Sequence, residues 1–408
     1  MRVGHSCGGD DRCHRDHAVL PARRGDRRGS GKAAGPFGVM LLERHPIELV
    51  GLISPYRTSE TSETPGPYDP AFVAEIARAY EAAGYDRVLV GQNAKSADSL
   101  VTATWVAAAT TRLKLMVAHR PGFIAPTMAA RAFATLDQFS GGRAGVHVIT
   151  AFSDIETRCD GDYLTKDERY RRSNEYVRIM RRVWAGESPC DHQGDWYRFD
   201  NAGSEVRPVA GSVPVFWAGT SELALQFGAE LADVYAFGPG SVDQIAAQVA
   251  TVRAEADKHG RNPRFSMSMR LVVADSDEAA WARADALLQG VIARQAKHGA
   301  LGRDLGKAAE TVAANAAQAD DAAADLCLWT GLTKATQGRL QVMCLVGSPD
   351  TLVQALLRYR AAGIDNFLVT GFDWLADTHM IGAEIGPKLR RLGTAGILPM
   401  AACQGERN

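Results

Sequence analysis

From residue 46 onward, short apolar runs alternate with longer stretches in which apolar residues recur at helical spacing. The apolar runs predict strands at 47–53, 87–90, 113–118, 144–150, 213–217, 233–237, 264–274 and 366–370. Helices are predicted at 70–83, 98–110, 126–139, 167–185, 221–229, 242–259, 277–297, 349–362 and 376–392. Local chemistry supports several ends: Asp98 stands where an N-cap belongs, Gly84 where a helix stops, and Gly141-Gly142 closes the third helix. Strand-then-helix alternation of this kind, repeated eight times, predicts an α/β fold: a (β/α)8 TIM barrel with insertions. A doubly wound dinucleotide fold would want a Gly-rich turn after the first strand. Instead Ile53 runs into Ser54-Pro55-Tyr56 and a Ser/Thr/Pro loop.

Two stretches break the rhythm. Residues 186–212 contain Cys190–Gly194 and Trp196–Phe199, a pattern expected of a small hairpin. Residues 300–340 are rich in Ala, Asp and Gly, and so long a connection reads either as a lid over an active site or as a surface insertion.

Composition changes the picture at the N-terminus. The chain of 408 residues has a net charge of −1, which gives no support for nucleic-acid binding. Residues 1–40 hold eight basic residues and four Asp, a net of +4, against −5 for the remainder. This Gly-rich stretch without apolar periodicity predicts three parts: a disordered basic extension at 1–45, one barrel domain at 46–393 and a tail at 394–408. It lacks the apolar core of a secretory signal, and Met40 or a nearby codon is the expected working start. No stretch has the roughly 18 apolar residues of a membrane span. Seven cysteines without regular spacing point to a reducing, cytoplasmic setting. His5, Cys7, Cys13, His14 and His17 have metal-like spacing but match no standard zinc pattern, so no metal is expected.

Barrel enzymes carry their chemistry just past the strand ends. Those positions here hold Asn93 and Ser96 after the second strand, His119 at the third, Thr150 at the fourth, and Gly219-Thr220-Ser221 after the fifth. Ser268 and Arg270 lie on the seventh strand, and Phe372, Asp373 and Trp374 follow the eighth. The Gly219–Ser221 turn opens a helix and suits a phosphate, though Ser and Thr are also ordinary caps. Arg270 must find an anion, a rim salt bridge or solvent. His119 is either a base or a hydrogen-bonded core histidine. Thr150 either bonds a cofactor or satisfies a strand end, and Tyr170 can face the mouth or the outer groove. No serine elbow or P-loop competes. Hydroxyls, amides, one His and Arg suit the binding of a phosphorylated cofactor that carries the chemistry itself.

Several longer motifs are more specific: Ala118-His119-Arg120-Pro121, Ala125-Pro126-Thr127-Met128-Ala129-Ala130-Arg131, and Ala134-Thr135-Leu136-Asp137-Gln138-Phe139-Ser140-Gly141-Gly142-Arg143. Asp160-Gly161-Asp162-Tyr163, Asp167-Glu168-Arg169-Tyr170-Arg171-Arg172 and Ala218-Gly219-Thr220-Ser221 follow. Together they resemble the bacterial-luciferase-like flavin monooxygenases, in particular the alkanesulfonate monooxygenase branch, over residues 46–392. The resemblance implies a two-component oxygenase that takes reduced FMN from a separate flavin reductase. It would activate O2 as a flavin C4a-peroxide and oxygenate a small organic substrate, such as an alkanesulfonate or related organosulfur compound. It implies Thr150, Tyr170, Thr220 and Ser221 as flavin contacts, His119, Arg270 and Asp373 as catalytic residues, and Ser96, Asn93, Phe372 and Trp374 as substrate contacts. A mobile lid at 300–340 and a homodimer or homotetramer also follow from it.

Departures from that branch bear on the substrate. Ser96 stands where those enzymes have Cys, Ser268 and Arg270 where they have Arg and His, and Phe372 and Trp374 where they have Tyr and His; Lys334 and Arg339 lie near the place of their lid Arg. Two other functions remain open at this stage: a coenzyme F420-dependent hydride-transfer oxidoreductase on the same barrel, and a catalytically idle flavin-binding barrel.

Overall fold

The computed structural model describes residues 45–57, 68–150, 153–186, 189–301, 307–322 and 327–394. The predicted N-terminal extension and its His/Cys cluster lie outside the described residues, as does the tail beyond 394.

The chain runs β1 (Glu48–Ile53), α1 (Pro70–Ala82), β2 (Arg87–Val90), α2 (Ser99–Ala109), β3 (Lys114–His119), α3 (Pro126–Ser140), β4 (Val146–Val148), α4 (Asp154–Cys159) and α5 (Lys166–Ala185). A hairpin of β5 (Cys190–Gln193) and β6 (Arg198–Ala202) follows. Then come β7 (Val215–Ala218), α6 (Glu222–Leu231), β8 (Val234–Phe237), α7 (Val242–Asp257), β9 (Arg264–Val273) and α8 (Asp277–His298). Next are α9 (Lys307–Ala322), β10 (Leu328–Trp329), α10 (Gly331–Ala335), β11 (Cys344–Gly347), α11 (Pro349–Ala361), β12 (Asn366–Thr370) and α12 (Trp374–Met380). A π turn at Ile381–Ile385 leads into α13 (Gly386–Thr394).

Strands β1, β2, β3, β4, β7, β8, β9 and β12 pair in parallel in that order, and β12 returns to β1, so the sheet closes into the expected (β/α)8 barrel. Parallel strands buried on both faces read as continuous apolar runs, which is why the sequence marks them so clearly. Caps fix the helix starts: Thr165 and Glu168 form a reciprocal capping box on α5, Asp98 accepts from Val101 N on α2, and Asp69 from Phe72 N on α1.

Five elements depart from the pattern read in sequence. The stretch after β4 forms the short helix α4 instead of a loop. The 300–340 segment supplies α9, β10 and α10, and β11 pairs beside β9. The explanation lies in β9, which is longer than its neighbours. Its first part, Ser266–Arg270, pairs with β12 in the barrel, and its last part, Arg270–Val273, passes the rim and pairs with β11. Among the described residues, no helix is long and apolar enough to cross a membrane.

The N-terminal end of the barrel is sealed by charge. Glu48 of β1 lies 3.4 Å from Arg87, 3.1 Å from Lys114 and 3.3 Å from Arg264. Burial pushes the Glu48 carboxyl up, but the three cations prevail and hold it at about 2. Above this cluster Val50, Met116, Phe216 and Val234 fill the barrel axis.

Candidate active site

Toward the C-terminal end the strands no longer fill the axis. Leu52, Leu89, His147, Ala218, Ser268 and Leu368 are half-buried on the inward face, while alternate residues such as Ile53, Val88, Val148 and Val369 are buried against the helices. Period-two exposure inside a two-sided sheet means that the lumen opens here to solvent.

One wall of this mouth gathers three hydroxyls. Tyr170 projects from α5 onto the end of β7, where its hydroxyl lies 3.4 Å from the Ala218 carbonyl oxygen and its ring centre 6.1 Å from that of Trp217. Burial raises the Tyr170 pKa, and the neighbouring hydroxyls of Thr150 and Ser221 oppose that rise. Thr150 is placed by Arg169, a buried guanidinium whose Nε donates to the Thr150 carbonyl oxygen at 2.9 Å and whose other nitrogens reach Leu164 O and Asp154. Gly219 has φ of +141°, and a Cβ there would overlap the Tyr170 hydroxyl and the Ala224 methyl. Glycine is therefore required for this turn.

Ser221 is the N-cap of α6, yet its hydroxyl makes no cap hydrogen bond. Its Oγ is buried and, although close to Tyr170, has no hydrogen bond of normal geometry. A helix N-terminus whose cap hydroxyl is turned away from its own helix, beside two further hydroxyls, has the chemistry that suits an anion. These residues fit the phosphate of a flavin mononucleotide. The expectation that Thr150, Tyr170 and Ser221 come together matches this geometry. Thr220 is adjacent and exposed.

The opposite wall carries Arg270. Its Nη1 donates to Thr370 Oγ1 at 2.5 Å and to the Gly371 carbonyl oxygen at 3.0 Å. The guanidinium lies 5.7 Å from the ring centre of Phe372 and 5.2 Å from that of Trp374. Asp377 fixes this loop by accepting from Phe372 N and Asp373 N, and is itself gripped by Arg283 through both oxygens at 2.7 and 2.8 Å. Arg270, Phe372 and Trp374 thus form one cluster.

Other expected site residues are placed differently. His119 points outward into the helix layer, where Nε2 is 2.8 Å from the Tyr176 hydroxyl and the ring meets Phe133 edge-on. The Tyr176 hydroxyl donates its hydrogen to Ile124 O, so His119 Nε2 is the donor to Tyr176. Burial lowers the His119 pKa to about 4, so the ring is neutral. Asp373 is the exposed N-cap of α12, accepting from Ala376 N at 3.0 Å. Asn93 Oδ1 accepts from Lys95 N, and Ser96 Oγ is engaged with the main chain of Asn93, so both serve their own turn. That turn is tied across the rim: Glu156 of α4 accepts from Ala94 N and pairs with the buried Arg120, which also meets Asp160 at 3.1 Å.

Sequence reasoning did not single out Arg169 and His147. Arg169 carried a signal in the Asp167–Arg172 run; His147 carried none beyond its place on a strand.

A closed parallel barrel with hydroxyls gathered past the end of its fifth barrel strand has the architecture on which enzymes carry their sites at the C-terminal face. Residues 49–366 match the luciferase-like monooxygenase family, and the chain belongs to it. Solved structures share the fold at low identity. A riboflavin lyase, RcaE, with modified FMN and riboflavin is 19% identical with a TM-score of 0.68, covering 88% of this chain and 94% of its own. EDTA monooxygenase from Chelativorans sp. BNC1 is 16% identical with a TM-score of 0.68, covering 87% and 95%. An F420-dependent secondary alcohol dehydrogenase is 17% identical with a TM-score of 0.63, covering 85% and 99%.

Proposed function

We propose that this chain is a two-component, FMNH2-dependent monooxygenase that acts in the cytoplasm. It takes reduced FMN from a separate flavin reductase and uses O2 to oxygenate a small organic substrate. The observation that carries the reading is the gathering of the Ser221, Tyr170 and Thr150 hydroxyls at the start of α6, where Ser221 makes no cap hydrogen bond to its own helix. Tyr170, Thr150 and Ser221 would hold the flavin phosphate, and Gly219 leaves room for them. Bound reduced flavin supplies the electrons that activate O2. Arg270 offers a cation beside two apolar rings, which suits a small anion with an apolar body, such as an alkanesulfonate or related organosulfur compound. The α9–α10 segment serves as the lid that keeps water from the reacting groups. A homodimer or homotetramer completes the reading.

An F420-dependent hydride-transfer enzyme is the second reading, since the same fold serves the F420-dependent dehydrogenase above. Anaerobic titration with reduced FMN and with reduced F420, followed by rapid mixing with O2, separates them. The proposal expects FMNH2 binding and a lengthened lifetime of the reduced flavin against O2. F420 binding with no FMN binding would overturn it, and an FMN complex whose lifetime matches free flavin would indicate an idle barrel.

A further inference from the structure

Strand β9 parts from the barrel at Arg270. That residue is the last of β9 to pair with β12, opposite Thr370, and the first to pair with β11, opposite Cys344. The strands separate just where the Arg270 side chain and the Gly371–Trp374 loop stand together at the rim. Strand pairing alone therefore does not set how that loop sits around the Arg270 guanidinium.

Arg283 of α8 bridges the separation from the helix layer. Its Nη1 donates to the Val273 carbonyl oxygen at 3.0 Å, on the departing end of β9. The same guanidinium takes both oxygens of Asp377, Nη1 to Oδ1 at 2.7 Å and Nη2 to Oδ2 at 2.8 Å. Asp377 is buried, and its Oδ2 also accepts from Phe372 N at 2.7 Å and from Asp373 N at 2.8 Å. A Cβ on Gly371 would overlap this carboxylate, so the group lies flush against the loop backbone. A bidentate guanidinium–carboxylate pair fixes angle as well as distance. Two arginines thus hold the loop, and both are tied to β9: Arg270 through the Gly371 carbonyl oxygen, and Arg283 through Asp377.

Helix α8 is itself anchored. Asp277 in its first turn accepts from Ser348 N at 2.7 Å and from Thr351 Oγ1 at 3.0 Å, at the start of α11. Phe372 packs in a second core with Ala280 and Ala284 of α8 and Leu332 of α10, whereas Trp374 packs in the main core. The two rings beside Arg270 belong to different cores, and the Arg283–Asp377 pair joins α8 to the loop that connects them.

We infer that Arg283 is a positioning residue for the substrate side of the mouth: its fork on Asp377 and Val273 sets the loop that places Phe372 and Trp374 around Arg270, and thereby the affinity for an anionic ligand. The inference rests on the reading of Arg270 as the cation that meets the substrate. Arg283 acts through the loop, and no contact with ligand is assigned to it.

The test uses the full chain loaded with FMN and 1-octanesulfonate as the probe, a small anion with an apolar body. Calorimetry measures octanesulfonate binding and flavin fluorescence measures FMN binding, for wild type, Arg283→Met, Arg283→Lys, Arg270→Ala and the Arg283→Met/Arg270→Ala double variant. The indole N–H resonance of Trp374, assigned with Trp374→Phe, reports the loop. Arg283→Met should weaken octanesulfonate binding about tenfold, leave FMN affinity within about twofold and move the Trp374 resonance. Arg283→Lys keeps the charge without the fork and should fall between wild type and Arg283→Met. In the Arg270→Ala background, Arg283→Met should cost less than about twofold more, because the two residues act as a unit. Wild-type binding of octanesulfonate with no change of affinity or resonance in Arg283→Met would overturn the inference alone, as would full additivity in the double variant. If wild type binds no octanesulfonate, the anionic-substrate reading falls and the inference with it.

Discussion

At the N-terminal end of the barrel a buried carboxylate is surrounded by three cations, whereas at the C-terminal end the cap hydroxyl of a helix is left off its own helix. Glu48 sits among Arg87, Lys114 and Arg264. By contrast, Ser221 Oγ is buried with no cap hydrogen bond to its helix and with Tyr170 as its near neighbour. Satisfied polar groups stabilise a fold, and orphaned ones cost it stability unless a ligand completes them. The difference supports the proposal that one end is structural and the other a binding mouth.

The largest effect is expected from breaking the structural end. Glu48→Gln leaves three clustered cations without their anion and should cost about 3–5 kcal/mol in denaturant unfolding. An unchanged unfolding midpoint would show that the cluster does not hold the barrel.

Acid sharpens the same contrast. Burial lowers His119 and His147 from 6.5 to about 4. Below pH 6.5 the unfolded chain therefore binds protons that the native rings refuse, and stability falls as the pH drops from 6.5 toward 4. Glu48 acts lower: its contribution is complete above pH 4.5 and disappears as the pH falls toward 2. Thermal melts across this range should show decline beginning near pH 6.5, with Glu48→Gln abolishing the pH dependence that belongs to the lower window.

At the mouth, Gly219→Ala forces a side chain into the Tyr170 hydroxyl at a positive φ. It should cost about 1–3 kcal/mol of stability and most flavin binding, read by melting and by fluorescence titration. Smaller still is Arg270→Ala, which should raise KM for an anionic substrate about tenfold and leave FMN affinity within about twofold. Unaffected KM would return Arg270 to a purely structural role at the β12 rim.

These regions were not equally legible in sequence. The barrel was, because each buried parallel strand is a continuous apolar run and each helix has its own period and caps. That same two-sided burial hid which side chains face inward. His119 and His147 both lie on apolar strands, and only the parity of each strand sends the first to the helix layer and the second to the lumen. Asp373, Asn93 and Ser96 show a second limit: a polar residue after a strand is chemically the same whether it meets a ligand or its own turn. Tyr170, Thr150 and Ser221 were grouped only by the family resemblance, since the residues alone left Tyr170 free to face the mouth or the outer groove and Thr150 and Ser221 free to serve a strand end and a cap. Strand β11 was missed because its partner is the overhanging end of β9, which local periodicity does not reveal.

The account stands most directly on the phosphate cradle, and one comparison tests it: the affinities of FMN and riboflavin for wild type and for Ser221→Ala. The account predicts that wild type binds FMN at least about tenfold more tightly than riboflavin. In Ser221→Ala that preference should shrink severalfold, with little loss of thermal stability because the hydroxyl makes no cap hydrogen bond to α6. Equal binding of FMN and riboflavin by wild type would contradict it.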